Sequence, residues 1–365
     1  MGIAAILISV SAVLGNADSS SPNGIYIVPQ SHIDLDWVWR YDPETIEVVI
    51  PWTFGQAADN LELFPDYSFS ASQVPLYEGM RKHHPRLAAR VERLIRDRRF
   101  EIVGAHWVEF EGCGPCGESL VRQCMYGKRY FREVYGQDVR NAWLIDSWTH
   151  PWSLPQIFKK CEIDFYVFQR CSRGDNIFWW ESPDGSRVLA CRPLRHPTKI
   201  DLEKLAVDYH KRMKQMYGTD ITMWRVGWGD HGGGFKADDI RNLKKQMEGA
   251  SVPARFSRVD QFLKAVKDAR PDWPVLRNEL DFQFEGNYTN TAKLKAANRH
   301  TENLLIEAEK FAAIAARLVE IPYPKAELKS AWLEVMMNQF HDTIGGCVIQ
   351  AVTEDALKRY ARAES

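Results

Sequence analysis

Four short stretches of the chain carry side chains that can do chemistry together. His32 and Asp34 stand two residues apart, so in extended backbone both point to one side and can grip a single cation. Imidazole nitrogen with carboxylate oxygen suits Zn²⁺ or a similar divalent ion; the same pair also serves as a loop histidine bonded to an acid. Asp146 and Asp230 form a candidate carboxylate pair. Retaining cleavage of a glycosidic bond needs one ionised and one protonated carboxyl, so their surroundings must split their acidities. A cation beside Asp146 would keep it ionised, and a drier pocket walled by Gly232, Gly233 and Gly234 would keep Asp230 protonated. Those glycines alone describe a tight turn equally well. His341, before Asp342 and the breakers Gly345 and Gly346, sits where a helix should end; there it is either a cap or a ligand.

These residues need elements to bring them together. Residues 25–28, 100–104, 142–145, 165–168, 188–191 and 223–226 are short apolar runs that read as strands. Between them lie amphipathic patterns such as 85–97, 117–135 and 202–216, so strands and helices alternate. That order predicts a largely parallel sheet covered by helices, either open or closed into a barrel. Enzymes of this class carry their chemistry just past the carboxyl ends of strands. His32, Asp34 and Trp37 follow the first run, and Asp146 and Trp148 the third. Arg170 follows the fourth, and Asp230 the last. After residue 286 the pattern becomes helical throughout, over 291–318, 325–340 and 352–362, with Pro322 and Pro324 breaking it.

Composition narrows the function classes. The 365 residues carry 47 Lys and Arg against 48 Asp and Glu, a net charge of -1, which removes any global argument for nucleic acid or an anionic membrane as partner; no nucleic-acid partner is expected. No run approaches the ~20 apolar residues of a membrane span. Residues 3–14 resemble the apolar core of a signal peptide, within a leader taken as residues 1–23. This points to a secreted or periplasmic protein; the lack of Lys or Arg before the run leaves a cytoplasmic one as the alternative. Seven Cys do not make a disulfide scaffold, and Cys113-Gly-Pro-Cys116 lies in a glycine-rich loop rather than at a redox helix start. Thirteen Trp suit either sugar binding or a Trp-rich core.

Taken together, the motifs resemble glycoside hydrolase family 38, the zinc-dependent retaining α-mannosidases. His32-Ile-Asp34-Leu-Asp-Trp37 resembles the first metal motif, and Glu118-Ser-Leu-Val-Arg122-Gln123 a helix start. Asp146-Ser-Trp148 resembles the nucleophile motif, and Gly229-Asp230-His-Gly-Gly-Gly234 the loop of the acid. Gly286-Asn-Tyr288-Thr289 resembles the entry to the helical domain, and Asn338-Gln-Phe-His341-Asp342 the late metal motif. The resemblance implies a seven-stranded parallel (β/α) barrel over residues 24–285 and an all-α helical bundle over 286–365. It implies one Zn²⁺ held by His32, Asp34, Asp146 and His341, with Asp146 also the nucleophile and Asp230 the acid/base. It implies an α-mannoside glycan as substrate, Trp37 and Trp148 stacking on the sugar, and Arg170 supporting Asp146 or a substrate oxygen. Trp148 and Thr149 stand where the family often has Phe and Gly. Phe284-Glu285 stands where it often has His-Arg. Family members usually continue into β-rich domains, so the resemblance also implies that activity depends on such domains. A metal-dependent sugar deacetylase and a non-catalytic zinc- or glycan-binding remnant are the competing readings.

Overall fold

The computed structural model describes residues 23–171, 177–194, 201–269, 272–280 and 283–365. The signal-like leader lies, as far as residue 22, outside the described residues. Among the described residues, the strands form two five-stranded sheets. In the first, β1 (Gly24–Ser31) is flanked by β2 (Phe69–Ala71) and β8 (Ile221–Trp228). Strand β3 (Phe100–Ile102) extends the β2 edge, and β9 (Ala254–Phe256) pairs with the start of β1; every pairing is parallel. In the second sheet the order is β10-β6-β7-β5-β4. These strands are β4 (Asn141–Leu144), β5 (Phe165–Phe168), β6 (Ile177–Glu181), β7 (Arg187–Cys191) and β10 (Val275–Leu276). Only β6 and β7 run antiparallel.

Burial on both faces explains why the strands read as continuous apolar runs. Every residue of β1 is buried. Ile25 and Ile27 join the outer core under the helices. Tyr26 and Val28 join an inner core with Val103, Trp143, Ile145, Val167, Leu189 and Met223, drawn from both sheets. The α/β class expected from the sequence is therefore present, but among the described residues the strands form two sheets rather than the closed seven-stranded barrel. At one seam the contacts between β3 and β4 run through side chains and a single main-chain bond. Ala105 N donates to Asn141 O at 2.7 Å, Gly104 N donates to Asn141 Oδ1 at 2.8 Å, and the His106 ring lies against the Trp143 backbone. At the other seam a parallel bridge joins Leu194 to Trp224. At the first seam the ladder is interrupted because the Asn141 and His106 side chains take up backbone groups that a neighbouring strand would pair.

Seven of the thirteen Trp are buried, so the unusual Trp count mostly reports the core. The helical part comprises Ala292–Leu318, Lys325–Asn338, the short His341–Gly345 and Gln350–Glu364. It is tied to the sheet part through the helix Gly117–Tyr135. From that helix Arg122 grips Glu309 with two hydrogen bonds of 2.8 and 2.6 Å and lies over the Trp332 ring. The sequence pattern extends the second helix to 340, but it ends at Asn338. Phe340 instead pairs antiparallel with Phe110, and Glu111 N donates to Gln339 O at 3.1 Å. His341 thus opens a new helix rather than capping an old one. Among the described residues, no helix is long and apolar enough to cross a membrane.

Candidate metal centre and catalytic cleft

The segment after β1 stays paired with the segment after β8, and this fixes the first two candidate ligands. His32 N donates to Trp228 O at 3.0 Å, Asp34 N donates to Asp230 O at 2.8 Å, and Ile33 bridges His231. With the backbone held extended, His32 and Asp34 share a side, and His32 Nε2 lies 2.8 Å from Asp34 Oδ1. Asp146 comes from the end of β4. Its Oδ2 lies 4.0 Å from His32 Nε2 and 3.7 Å from His341 Nε2. His341 Nε2 is 3.5 Å from Asp34 Oδ1. One donor atom from each of His32, Asp34, Asp146 and His341 falls within 4.8 Å of all the others.

This donor set fits a divalent cation. Two imidazole nitrogens and two carboxylates are the mixed set that zinc accepts. The His341 Nε2 atom is buried without a hydrogen-bond partner among the described residues, and an unsatisfied atom of that kind calls for a ligand. Electrostatics agree. Burial alone would lower the pKa of His32, but Glu109 and Asp34 on either side outweigh it and hold the imidazole well above its ordinary value. Burial opposes protonation of His341 too, yet Asp342, Asp34 and Asp146 raise it to about 9. Both histidines sit in a field that asks for positive charge, which a proton or a metal ion can supply.

Asp146 is the cluster member most open to solvent, with 19% of its side chain exposed. Arg170 Nε donates to its Oδ1 at 2.6 Å. Burial would raise its pKa, but His32, His341 and Arg170 together hold the carboxyl well below the usual carboxylate range. It faces a cleft of about 400 Å³. Asp230 lines the same cleft from the glycine-rich loop. Its own φ is 62°, a left-handed conformation that Asp tolerates better than most residues. At Gly227, on the approach to this loop, an added Cβ would lie 1.6 Å from Gln30 O, so only glycine fits.

The cleft therefore brings Asp146, Asp230, His32 and Arg170 together. Trp37 and Trp148 are not on its wall. Trp37 is half-buried, edge-on to Trp39 at 5.8 Å. Trp148 is only 3% exposed and packs edge-on against His341 at 5.3 Å and Phe284 at 5.8 Å, which leaves no free face for a sugar. The aromatic side chain on the wall is Trp228, 45% exposed at the end of β8. Its place after a strand was the available signal. Gln169 and Arg225 also line the cleft and hydrogen-bond to each other. A charged residue inside the apolar run 223–226 was the signal for Arg225. Glu109, which touches both histidines, carried no signal of its own.

Comparison with known proteins agrees with this picture. Residues 23–282 match the model of the glycosyl hydrolases family 38 N-terminal domain, and residues 283–365 match the alpha mannosidase middle domain. The chain is 30% identical over 362 residues to alpha-mannosidase 2C1 of Mus musculus, covering 96% of this chain and 34% of that protein. It is 29% identical over 351 residues to alpha-mannosidase G of Dictyostelium discoideum, covering 93% and 32%. The crystal structure of an alpha-mannosidase from Enterococcus faecalis superposes with a TM-score of 0.81 at 20% identity, covering 94% of this chain and 41% of that one; at that identity the likeness speaks for the fold. The chain spans about a third of the length of the curated relatives it matches. With the family match running across most of the described residues, the chain belongs to glycosyl hydrolase family 38.

Proposed function

We propose that this chain carries the catalytic centre of a zinc-dependent retaining α-mannosidase. The observation that carries the reading is the double placement of Asp146, which is both a member of the four-residue donor cluster and a wall of the cleft shared with Asp230. His32, Asp34, Asp146 and His341 would hold the ion. When bound, it would act as a Lewis acid that orients the vicinal hydroxyls of the sugar. The cis 2,3-diol of mannose is the natural fit for such a centre.

The chain's own groups then divide the work. Asp146, kept ionised, attacks the anomeric carbon while Asp230 gives its proton to the departing glycosidic oxygen, and a glycosyl ester forms on Asp146. Asp230, now ionised, takes a proton from water, which attacks the same carbon and releases Asp146; two displacements retain the α configuration. Arg170 keeps Asp146 in its anionic form and fixes its orientation through Oδ1. Trp228 offers the exposed ring for the apolar face of the sugar.

The test is hydrolysis of a chromogenic α-mannoside, with an acetylated sugar as control, before and after chelator. Wild type should cleave the mannoside, lose activity on chelation and regain it with zinc. Asp146→Asn should lower kcat by on the order of 10⁴-fold or more, as loss of a covalent nucleophile does elsewhere. Mannoside cleavage that ignores the chelator would sink the zinc centre. Deacetylation that survives Asp146→Asn would favour the deacetylase, and zinc uptake without turnover a binding remnant.

A further inference from the structure

We propose that Glu109 is a positioning residue that sets the proton location, and so the facing atom, of both candidate histidine ligands. The inference rests on the metal-centre reading above. It grows from how one residue is shared between two parts of the chain.

Glu109 lies in the stretch after β3 and is fully buried. Its carboxylate Oε1 accepts from Ser72 Oγ at 2.9 Å and lies 3.3 Å from His32 Nδ1. Its main-chain carbonyl accepts from the His341 backbone N–H at 3.2 Å, and His341 Nδ1 lies 3.0 Å from the same oxygen. A carbonyl has two lone pairs, so both contacts can be made at once. A carboxylate and a carbonyl only accept, so each histidine must present N–H at Nδ1. That leaves Nε2 of both rings toward Asp34 and Asp146, which is where the distances place them. The two rings lie nearly parallel, with centroids 5.6 Å apart and an interplanar angle of 24°, as expected if both are held from one side.

The position of Glu109 is itself fixed by backbone. Its N–H donates to Gln73 Oε1 at 3.1 Å, and Gln73 Nε2 donates to Ile33 O at 2.7 Å. The residue between the first two ligands and the residue that aims them are thus tied to one amide. The pairing of Phe110 with Phe340 brings the helical part to the same place. Packing alone does not account for a carboxylate here. A buried acid is costly, and the second oxygen, Oε2, has no hydrogen-bond partner among the described residues. A histidine whose Nδ1–H is held by a carboxylate is a better oriented and more basic ligand, and loss of such a partner typically costs 10–100-fold in metal affinity.

The side chain and main chain of Glu109 make separate predictions. Glu109→Ala removes the His32 contact and leaves the carbonyl on His341. Zinc affinity, measured by competition with a chromophoric chelator, should fall by ~10–100-fold. Glu109→Gln keeps an acceptor of the same shape without the charge and should fall less. If Glu109→Ala does not fold, Glu109→Gln and Ser72→Ala carry the test. Ser72→Ala frees the same oxygen of its second partner and should lower affinity more weakly than Glu109→Gln. Nitrogen-15 spectra of the zinc-loaded protein should show Nδ1–H on both rings in wild type. In Glu109→Ala the His32 signal should change while His341 keeps its form, a pattern that general loosening of the core would not produce. Zinc-binding wild type with unchanged affinity and unchanged His32 spectra in Glu109→Ala overturns the inference alone. Wild type that takes up no zinc overturns the metal-centre reading and this inference with it.

Discussion

Around the amino ends of β3 and β4, a cavity of about 500 Å³ is walled by matched ions. Arg98 and Arg258 both hold Asp260, at 2.7 and 3.0 Å. Arg140 holds Asp164 at 2.7 Å and Asp138 at 3.4 Å. Around the carboxyl ends of the same sheets, the slightly smaller cleft is lined by Asp146, with Arg170 on it, and Asp34, Glu109, Glu111 and Asp342 are buried near His32 and His341. Burial pushes Glu111 up to about 8 and Asp342 up to about 7. Matched ions near a surface contribute little, whereas acids gathered in a dry site are costly unless positive charge is supplied. The larger cavity is therefore the less informative one. Chemistry is to be sought where the protein leaves its charge balance open.

Substitution at either end of the sheets separates the two sites. After the nucleophile itself, the largest effect is expected from Asp230→Asn, which should lower kcat/KM on an α-mannoside by roughly 10²–10⁴-fold, the usual worth of a general acid. Zinc content should not change, because Asp230 lies outside the donor cluster. A parallel loss of metal would merge the two carboxylate roles and spoil the division. Next, His341→Ala should weaken zinc binding by more than about 100-fold, beyond what loss of an orienting partner costs. Titration against a competing chelator reads it directly, and unchanged affinity would remove the helical part from the centre.

The amino end should answer to pH rather than to metal. Burial, with the charge of Asp260 adding to it, raises Glu101 to about 7. Its carboxylate accepts from Val259 N at 2.7 Å and Asp260 N at 2.9 Å. A carboxyl whose folded value lies above its unfolded value of ~4.3 binds its proton more tightly when folded. Its contribution to stability is complete below that unfolded value and is lost as pH rises through 7. Thermal midpoints of wild type should therefore carry a fall between pH 5 and pH 8 that Glu101→Gln lacks; equal slopes would refute it. The smallest effect is expected from Arg98→Ala. Its side chain is 71% exposed, so stability should change by no more than ~1 kcal/mol in denaturant unfolding, with mannoside hydrolysis unaltered.

Much of the site was legible because its residues obey local rules. His32 and Asp34 share a side through the two-residue period of extended chain, and Asp146, Arg170 and Asp230 follow apolar runs that do form strands. Trp148 was not legible. A tryptophan after a strand can point into the cleft or under it, and its burial against His341 depends on a helical segment almost two hundred residues away. Trp228 is the converse case, with the same residue type at a strand end and 45% exposure on the cleft wall. Barrel closure failed to show for a related reason. Strand propensity predicts strands, but closure depends on whether neighbouring edges share a ladder, and here His106 and Asn141 occupy the seam.

The amino-acid sequence by itself determined the α/β class, the helical character after residue 286 and the order in which the reactive side chains appear. Those properties follow from periodicity and from neighbours a few residues apart. Only the tertiary structure decided which donors meet, which tryptophan faces the cleft, and that Glu109 addresses two histidines at once. His32 and His341 are more than three hundred residues apart, and they come within one cluster because Glu109 and Phe110 pair with the backbone around Phe340. A main-chain pairing of that kind depends on geometry that residue types do not encode locally.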